Sequence, residues 1–369
     1  MPNFIEKLDQ KIDSAIWNNY EDNYDYYRFG PKVEPPGESN TTRSLKWASN
    51  ALGMNSKGGH RIVYESLLAP YLNKLENFHQ LLADDQSRDL LVNLAAYRIL
   101  GMNKIKLPLN TPEYWQGIEA IRSCVVDEND FIQVDFRYSW KLYRFNLAPR
   151  GIPVEMYFTP KNIYTEFLLR QYEFQNSSVN ISVKDGDTVI DAGACWGDTA
   201  LLFAYQVGYS GQVYSFEFLP SNISILRRNI MLNNRLAERI SVIEKPLWET
   251  SDRLMYYFEN GPGSRVGFEK MNPDSKAVET ICIDDLVERQ RIQKVDFIKM
   301  DIEGAEQPAL RGAIKTIRRF RPKLAIAIYH NLDDFAGVAE LINSMGLGYK
   351  FYLGHFSVHS EETILFAEC

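Results

Sequence analysis

From about residue 160 onward, short apolar runs alternate with amphipathic stretches, and this alternation restricts the fold more than any other feature of the chain. DTVIDAG reads as a buried strand and TALLFAYQVG as a helix. QVYSFEF, ISVIEKPLW, VDFIKMD and KLAIAIYH read as further strands. SNISILRRNIMLNN, EQPALRGAIKTIRRF and DDFAGVAELINSMG read as the helices among them, and YTEFLLRQYEF as a helix leading in. Apolar strands separated by amphipathic helices call for a parallel sheet covered on both faces. The closing strands, YKFYLGHF and ETILFAE, are joined by a turn too short for a crossover, so the final strand runs antiparallel. The expected class is therefore α/β, a Rossmann-like sheet with an antiparallel C-terminal strand. DRLMYYFE, SRVGFEK and VETICI interrupt the pattern as extra strands, with Gly261, Pro262 and Gly263 turning between two of them, placed to shape an acceptor pocket.

The first half differs. Residues 3–18, 60–80 and 85–100 show helical apolar spacing, and the Tyr-, Pro- and Gly-containing stretch 18–42 reads as a long loop. FIQVDFRY, WKLYRFNL and VEMYFT change to a strand period and suggest a small antiparallel element. Since 369 residues exceed one ordinary core, two units are expected: 1–159, helical and accessory, and 160–369, the ligand-binding domain.

Composition excludes several classes. A net charge of -7 disfavours phosphate backbones, and the basic group Arg311, Lys315, Arg318, Arg319, Arg321 and Lys323 reads as the wet side and tail of a helix. No stretch approaches the apolar length of a membrane span, and the N-terminus lacks the form of a secretory signal. Cys124, Cys195, Cys282 and Cys369 form no CxxC pair, so they read as reduced thiols of a cytoplasmic protein without structural zinc.

In an open parallel sheet, ligands bind outside the carboxyl ends of the strands. The first strand ends in Asp191-Ala192-Gly193-Ala194-Cys195-Trp196-Gly197-Asp198-Thr199. There Asp191 is expected to point into the crevice, Gly193 and Gly197 to let the backbone turn and approach a ligand, and Asp198 or Thr199 to cap the next helix. This DxGxxxG spacing is not the GxGxxG that cradles a pyrophosphate. It suits a ligand with no phosphate and an ammonium group, such as S-adenosylmethionine. The second strand ends in Glu217-Phe218, where an acid accepts both hydroxyls of a ribose. Trp248, after the third strand, either stacks on an adenine or closes the core. The fourth strand runs into Asp301, Glu303 and Glu306, the fifth into Tyr329-His330-Asn331, and His355 ends the sixth.

VIDAGACWGDTALLFA, FIKMDIEGAEQPALRGA, PKLAIAIYH and FYLGHFSVHSEETILFA, in that order, resemble the FkbM family of S-adenosylmethionine-dependent methyltransferases over residues 160–369, and LLADDQSRDLLVNLAAYRILG extends the resemblance. The resemblance implies a class I methyltransferase fold and O-methylation of hydroxyls on sugars or secondary metabolites. It puts Asp191, Gly193, Gly197 and Glu217 on the cofactor side and Asp301, Glu303 and His330 on the acceptor side. Ala194, Trp196, Asp198, Thr199, Phe218 and Trp248 complete the expected cofactor contacts. Two departures stand out: Cys195-Trp196 narrows the methionine end, and Gly354 stands where relatives often carry Arg.

The implied reaction is in-line displacement of the sulfonium methyl by an acceptor oxygen, with His330 as general base and Asp301 orienting it, binding the hydroxyl or acting as base itself. A metal held by Asp301 and Glu303 lacks a third ligand, so none is expected. Oligomerisation is left open. The rivals are a nicotinamide oxidoreductase, which lacks its glycine spacing here, a non-catalytic adenosine-binding scaffold, and a nucleic-acid methyltransferase, which lacks an Asn-Pro-Pro-Tyr-type motif.

Overall fold

The structure, a computed structural model, describes residues 3–30, 68–136, 138–258, 265–270 and 273–369. The expected helix start at 60–67, the Gly261-Pro262-Gly263 turn and residues 31–42 of the expected loop lie outside these residues. Apolar runs build a seven-stranded sheet from β1 (Thr188–Ala192), β2 (Gln212–Phe216), β3 (Ile240–Ile243), β4 (Phe297–Met300), β5 (Lys323–Ala327), β6 (Lys350–His355) and β7 (Thr363–Glu368). Their order is β6-β7-β5-β4-β1-β2-β3, and only β7 runs against its neighbours. The antiparallel final strand follows the reading of the short turn. That β7 slips between β5 and β6 does not follow from it, because a hairpin pattern says nothing about which edge it joins.

Alternation along each strand divides the core in two. Ile190, Ile298 and Leu324 face one side, where Phe4, Leu75, Leu91 and Phe335 pack from helices Phe4–Ala15, Leu72–Leu81, Asp85–Leu100 and Leu332–Asn343. Val189, Phe297 and Ala325 face the other, under helix Asp198–Gln206 and an antiparallel sheet of Phe131–Phe136, Tyr138–Asn146 and Glu155–Phe158. The N-terminal helices thus cover one face of the main sheet. The Ala83 amide bonds the Phe351 carbonyl at 2.8 Å, and Leu353 donates to Ser87 Oγ at 3.0 Å.

Two helices differ from the sequence reading. EQPALRGAIKTIRRF splits into Glu306–Arg311 and Ile314–Phe320, with the break at Gly312, where a Cβ would meet the Trp248 carbonyl at 2.4 Å. YTEFLLRQYEF forms a π-helical turn, Ile163–Leu168, with Leu169 donating to the Tyr164 carbonyl at 2.9 Å, and Phe174–Gln175 is a short strand. The insert forms its own antiparallel sheet, with Leu254–Phe258 between Arg265–Gly267 and Lys276–Glu279.

Candidate active site

The strand order reverses between β1 and β4, so the crevice opens where the glycine turn meets Asp301. The two segments touch: a Cβ on Gly193, at φ +84, would stand 1.9 Å from the Asp301 carbonyl oxygen. No side chain fits there. The Gly193 and Ala194 amides both bond the Phe216 carbonyl, at 3.1 and 2.9 Å, and Gly197 bonds Ala194 at 2.7 Å, which fixes the shape of the turn. Cys195 is drawn into positive φ, +44.

Asp191 does not enter the crevice as expected. Register aligns it with Ser215 on β2 and Lys299 on β4, all on one face of the sheet. Its fully buried carboxylate accepts bonds from Thr199 Oγ1 (2.9 Å) and Ser215 Oγ (3.0 Å), and Lys299 Nζ lies at 3.3 Å. Lys299 also donates to the carbonyls of Ala192 (3.1 Å) and Gly193 (2.6 Å). Burial works against this ammonium, but Asp191, Asp301 and Asp198 outweigh it and hold Lys299 above its ordinary range. Thr199 is therefore spent on Asp191 rather than on capping, and Gly197 occupies the N-cap with no side-chain bond.

Glu217 is nearly buried at the tip of β2. Its Oε1 accepts the amides of Phe218 and Leu219, at 2.7 and 2.8 Å, and its Oε2 accepts Asn222 Nδ2 at 3.0 Å. Burial raises its pKa against these donors. Asn222 also takes the Trp196 indole N–H at 3.1 Å, and the Trp196 ring packs edge-on to Phe158 and Trp140, tying the turn to the antiparallel sheet. Beside Glu217, a shallow cavity of about 460 Å³ opens between Phe218, Pro220, Ile223 and Glu244. Trp248 packs edge-on to Phe268 of the insert, ring centroids 5.1 Å apart.

On the acceptor side, Asp301, Glu303 and His330 come together. Asp301 accepts Tyr172 Oη at 2.8 Å and Tyr329 Oη at 3.0 Å, and His330 Nε2 lies 3.3 Å from it. Burial raises the Asp301 pKa, but His330, Lys299 and Tyr172 prevail and push it well below the usual carboxylate range. The other ring nitrogen of His330, Nδ1, is 3.0 Å from Glu306 Oε1, and Glu306 is fully buried. Burial opposes a charge on the imidazole, but the two carboxylates raise its pKa well above the ordinary value. His330 thus lies between Asp301 and Glu306 at ion-pair distance, though neither ring nitrogen meets hydrogen-bond geometry, and its raised pKa weighs against its expected role as base. One donor atom from each of these three residues lies within 4.8 Å of the others. Glu303 differs: at φ +58, beside Gly304 at +96, its half-open side chain leans toward the same histidine, 3.8 Å from Nε2. Partial desolvation, then Asp301, Glu306 and Glu362, raise its carboxyl to about 7, against the pull of His330.

His355 stands apart from this group. Thr363 Oγ1 and Ser357 Oγ occupy its ring nitrogens, at 2.9 and 3.4 Å, and burial, with His359 and Arg98, lowers its pKa to about 3. It is a neutral structural residue. Gly354 is held small by the rings of Phe356 and Phe366, each 2.8 Å from a Cβ built there. Three members of this group were given no role by the sequence. Lys299 carried a signal, as a charge inside an apolar strand, and so did Tyr329 beside His330. Tyr172 carried none.

Comparison with known proteins bears on the fold. The profile of the methyltransferase FkbM domain matches residues 191–351. The methyltransferase FkbM from Methylobacillus flagellatus KT is 19% identical, with 89% of this chain and 71% of that one covered, at a TM-score of 0.53. Aeropyrum pernix fibrillarin with natively bound S-adenosyl-L-methionine aligns more loosely, at 15% identity over 66% of this chain and 97% of that one, with a TM-score of 0.35. An O-methyltransferase from Bacillus cereus in complex with SAH gives 14% identity over 60% and 86%, with a TM-score of 0.34. No curated protein matches the chain significantly. The chain therefore has the class I methyltransferase fold, and its residues 191–351 are similar to the methyltransferase FkbM domain.

Proposed function

We propose that the protein is a cytoplasmic S-adenosylmethionine-dependent O-methyltransferase acting on a hydroxyl of a sugar or secondary metabolite, without a metal. The observation that carries this reading is the pairing, across the switch point, of a side-chain-free glycine turn with the Asp301–Glu303–His330 group. The residues suit the cofactor. Gly193 and Gly197 let the turn pack closely against Asp301 and Leu226, and Glu217, steadied by three donors, keeps lone pairs for a ribose. Asp191 acts one step removed, by holding the turn through Lys299 and Thr199.

When bound, S-adenosylmethionine supplies an electrophilic methyl on a good leaving group. What remains for the chain is to align the acceptor, exclude water and take one proton. Glu303 is the base. Its carboxyl titrates near 7 and stays half open to the crevice, whereas Asp301 is too acidic and His330 already holds its proton. Asp301, oriented by Tyr172, Tyr329 and His330, receives the acceptor hydroxyl. A crevice rimmed by carboxylates and tyrosines suits a polyhydroxylated, uncharged acceptor.

The test is a screen of sugar and metabolite hydroxyls, followed by a pH profile of kcat on the best acceptor. Activity should rise through about pH 7 and level off, since the base works only when ionised. Glu303→Gln should lower kcat about 10²-fold or more and remove that limb. An unchanged limb in the variant would exclude Glu303 as base.

A further inference from the structure

Glu166 and Asp198 are both buried, and Glu166 Oε2 and Asp198 Oδ1 have no hydrogen-bond partner among the described residues. They come from separate elements. Glu166 lies in the π-helical turn Ile163–Leu168, a form that recurs at functional sites, and Asp198 opens the helix after the glycine turn. The remaining Glu166 oxygen takes only a 3.3 Å bond from Asn162. Two orphaned carboxyl oxygens in a buried place are costly unless a cation joins them.

The neighbours do not provide one. Lys299 is the cation nearest in charge, and it is engaged by Asp191 and by the Ala192 and Gly193 carbonyls. The other groups felt by the pair are acids or neutral: Asp191 and Cys195 at the turn, Glu362 from the β6–β7 hairpin and Tyr172 beyond the π-turn. Cys195 feels Asp198, Glu217 and Glu166 together, so the pair and the ribose acid flank one turn.

We propose that Glu166 and Asp198 form the seat of the α-ammonium group at the methionyl end of the cofactor, and that this ammonium displaces a proton the two carboxyls otherwise share. The inference rests on the cofactor reading above and adds to it a subsite with its own charge balance. Burial raises both carboxyls, and Glu166 is raised further by Asp198, which favours a proton between two orphaned oxygens when no cation joins them. An ammonium presents three N–H donors to the two orphaned oxygens, and the displaced proton leaves to solvent.

The test compares S-adenosylhomocysteine with 5′-methylthioadenosine, which keeps the nucleoside and thioether but lacks the amino acid. By calorimetry, Glu166→Gln and Asp198→Asn should each weaken S-adenosylhomocysteine about tenfold or more and leave 5′-methylthioadenosine within about twofold. On the unaltered protein near pH 7, titrations in two buffers of different ionisation enthalpy should show about one proton released with the first ligand and none with the second. Equal weakening of both ligands, no weakening, or identical proton release would overturn the subsite while leaving the cofactor reading intact. If the unaltered protein binds neither ligand, the cofactor reading itself falls, and the subsite with it.

Discussion

Replacing Lys299 with methionine should destabilise the fold by about 3–5 kcal/mol, with almost no change in packed volume. The magnitude follows from what the ammonium leaves behind. Asp191 is fully buried and keeps only the hydroxyls of Thr199 and Ser215, so its charge loses the one cation in contact with it. Of the two carbonyls Lys299 serves, Ala192 still accepts the Asp301 amide at 3.0 Å, while Gly193 loses its bond. Because Lys299 is held above its ordinary pKa, its stabilisation is complete below the unfolded value, roughly 10.4, and the deficit should not vary between pH 6 and 9. At roughly 2 °C per kcal/mol, the melting temperature should fall on the order of 6–10 °C. Adding Asp191→Asn should return at least about 1.5 kcal/mol, since the stranded charge goes with it. Calorimetric melting and denaturant titration of both singles and the double would measure this. A cost under about 1 kcal/mol, or strictly additive losses, would refute the buried-pair reasoning. By the same logic, cofactor binding lost in an Asp191→Ala variant would report a collapsed turn, not a missing contact.

Other expectations concern the same crevice. Gly193→Ala should abolish S-adenosylhomocysteine binding in calorimetry and lower the melting temperature, because the new Cβ meets the Asp301 carbonyl at 1.9 Å at a positive φ. His330→Gln should cost about 2–4 kcal/mol in denaturant titrations near pH 6, by stripping the shared cation from Glu306 and Asp301. Since the folded pKa of His330 is raised, that deficit is full below about 6.5 and should shrink as pH climbs through the folded value. Chelators should leave turnover within about twofold, because the imidazole proton fills the role an ion would take among Asp301, Glu306 and His330; a large loss, restored by one divalent ion, would contradict this.

The strands were legible because each is an apolar run of the right length, and the antiparallel turn was legible from its brevity. Less local facts were not. Nothing in EQPALRGAIKTIRRF says that the Trp248 carbonyl occupies the space beside Gly312. Asp191 shows the same limit inside the site. Its place at a strand end suggested a ligand contact, but its partners Ser215 and Lys299 are set by register between strands far apart in the chain. Unperturbed acidity suggests His330 as base, and the packing of Glu306 beneath it, which raises its pKa, is visible only in the structure. The glycines were the surest guides, since the demand for a missing side chain is written in the residue itself.

The position of β7 imposes an order on assembly. β6 bonds to the sheet only through β7, which is synthesised after it, so β6 must wait on the flank of an incomplete sheet until its partner emerges. The hairpin between them carries His359, Glu361 and Glu362, and Glu361 pairs with Arg28 from the opposite end of the chain at 2.7 Å. This side of the crevice is therefore walled after the rest of the sheet, and its closure joins Arg28 to the β6–β7 hairpin. Such long-range pairing slows folding and leaves β5 a bare edge in the meantime. A pause in translation before Thr363 would hold the protein with its catalytic floor built and its far wall open.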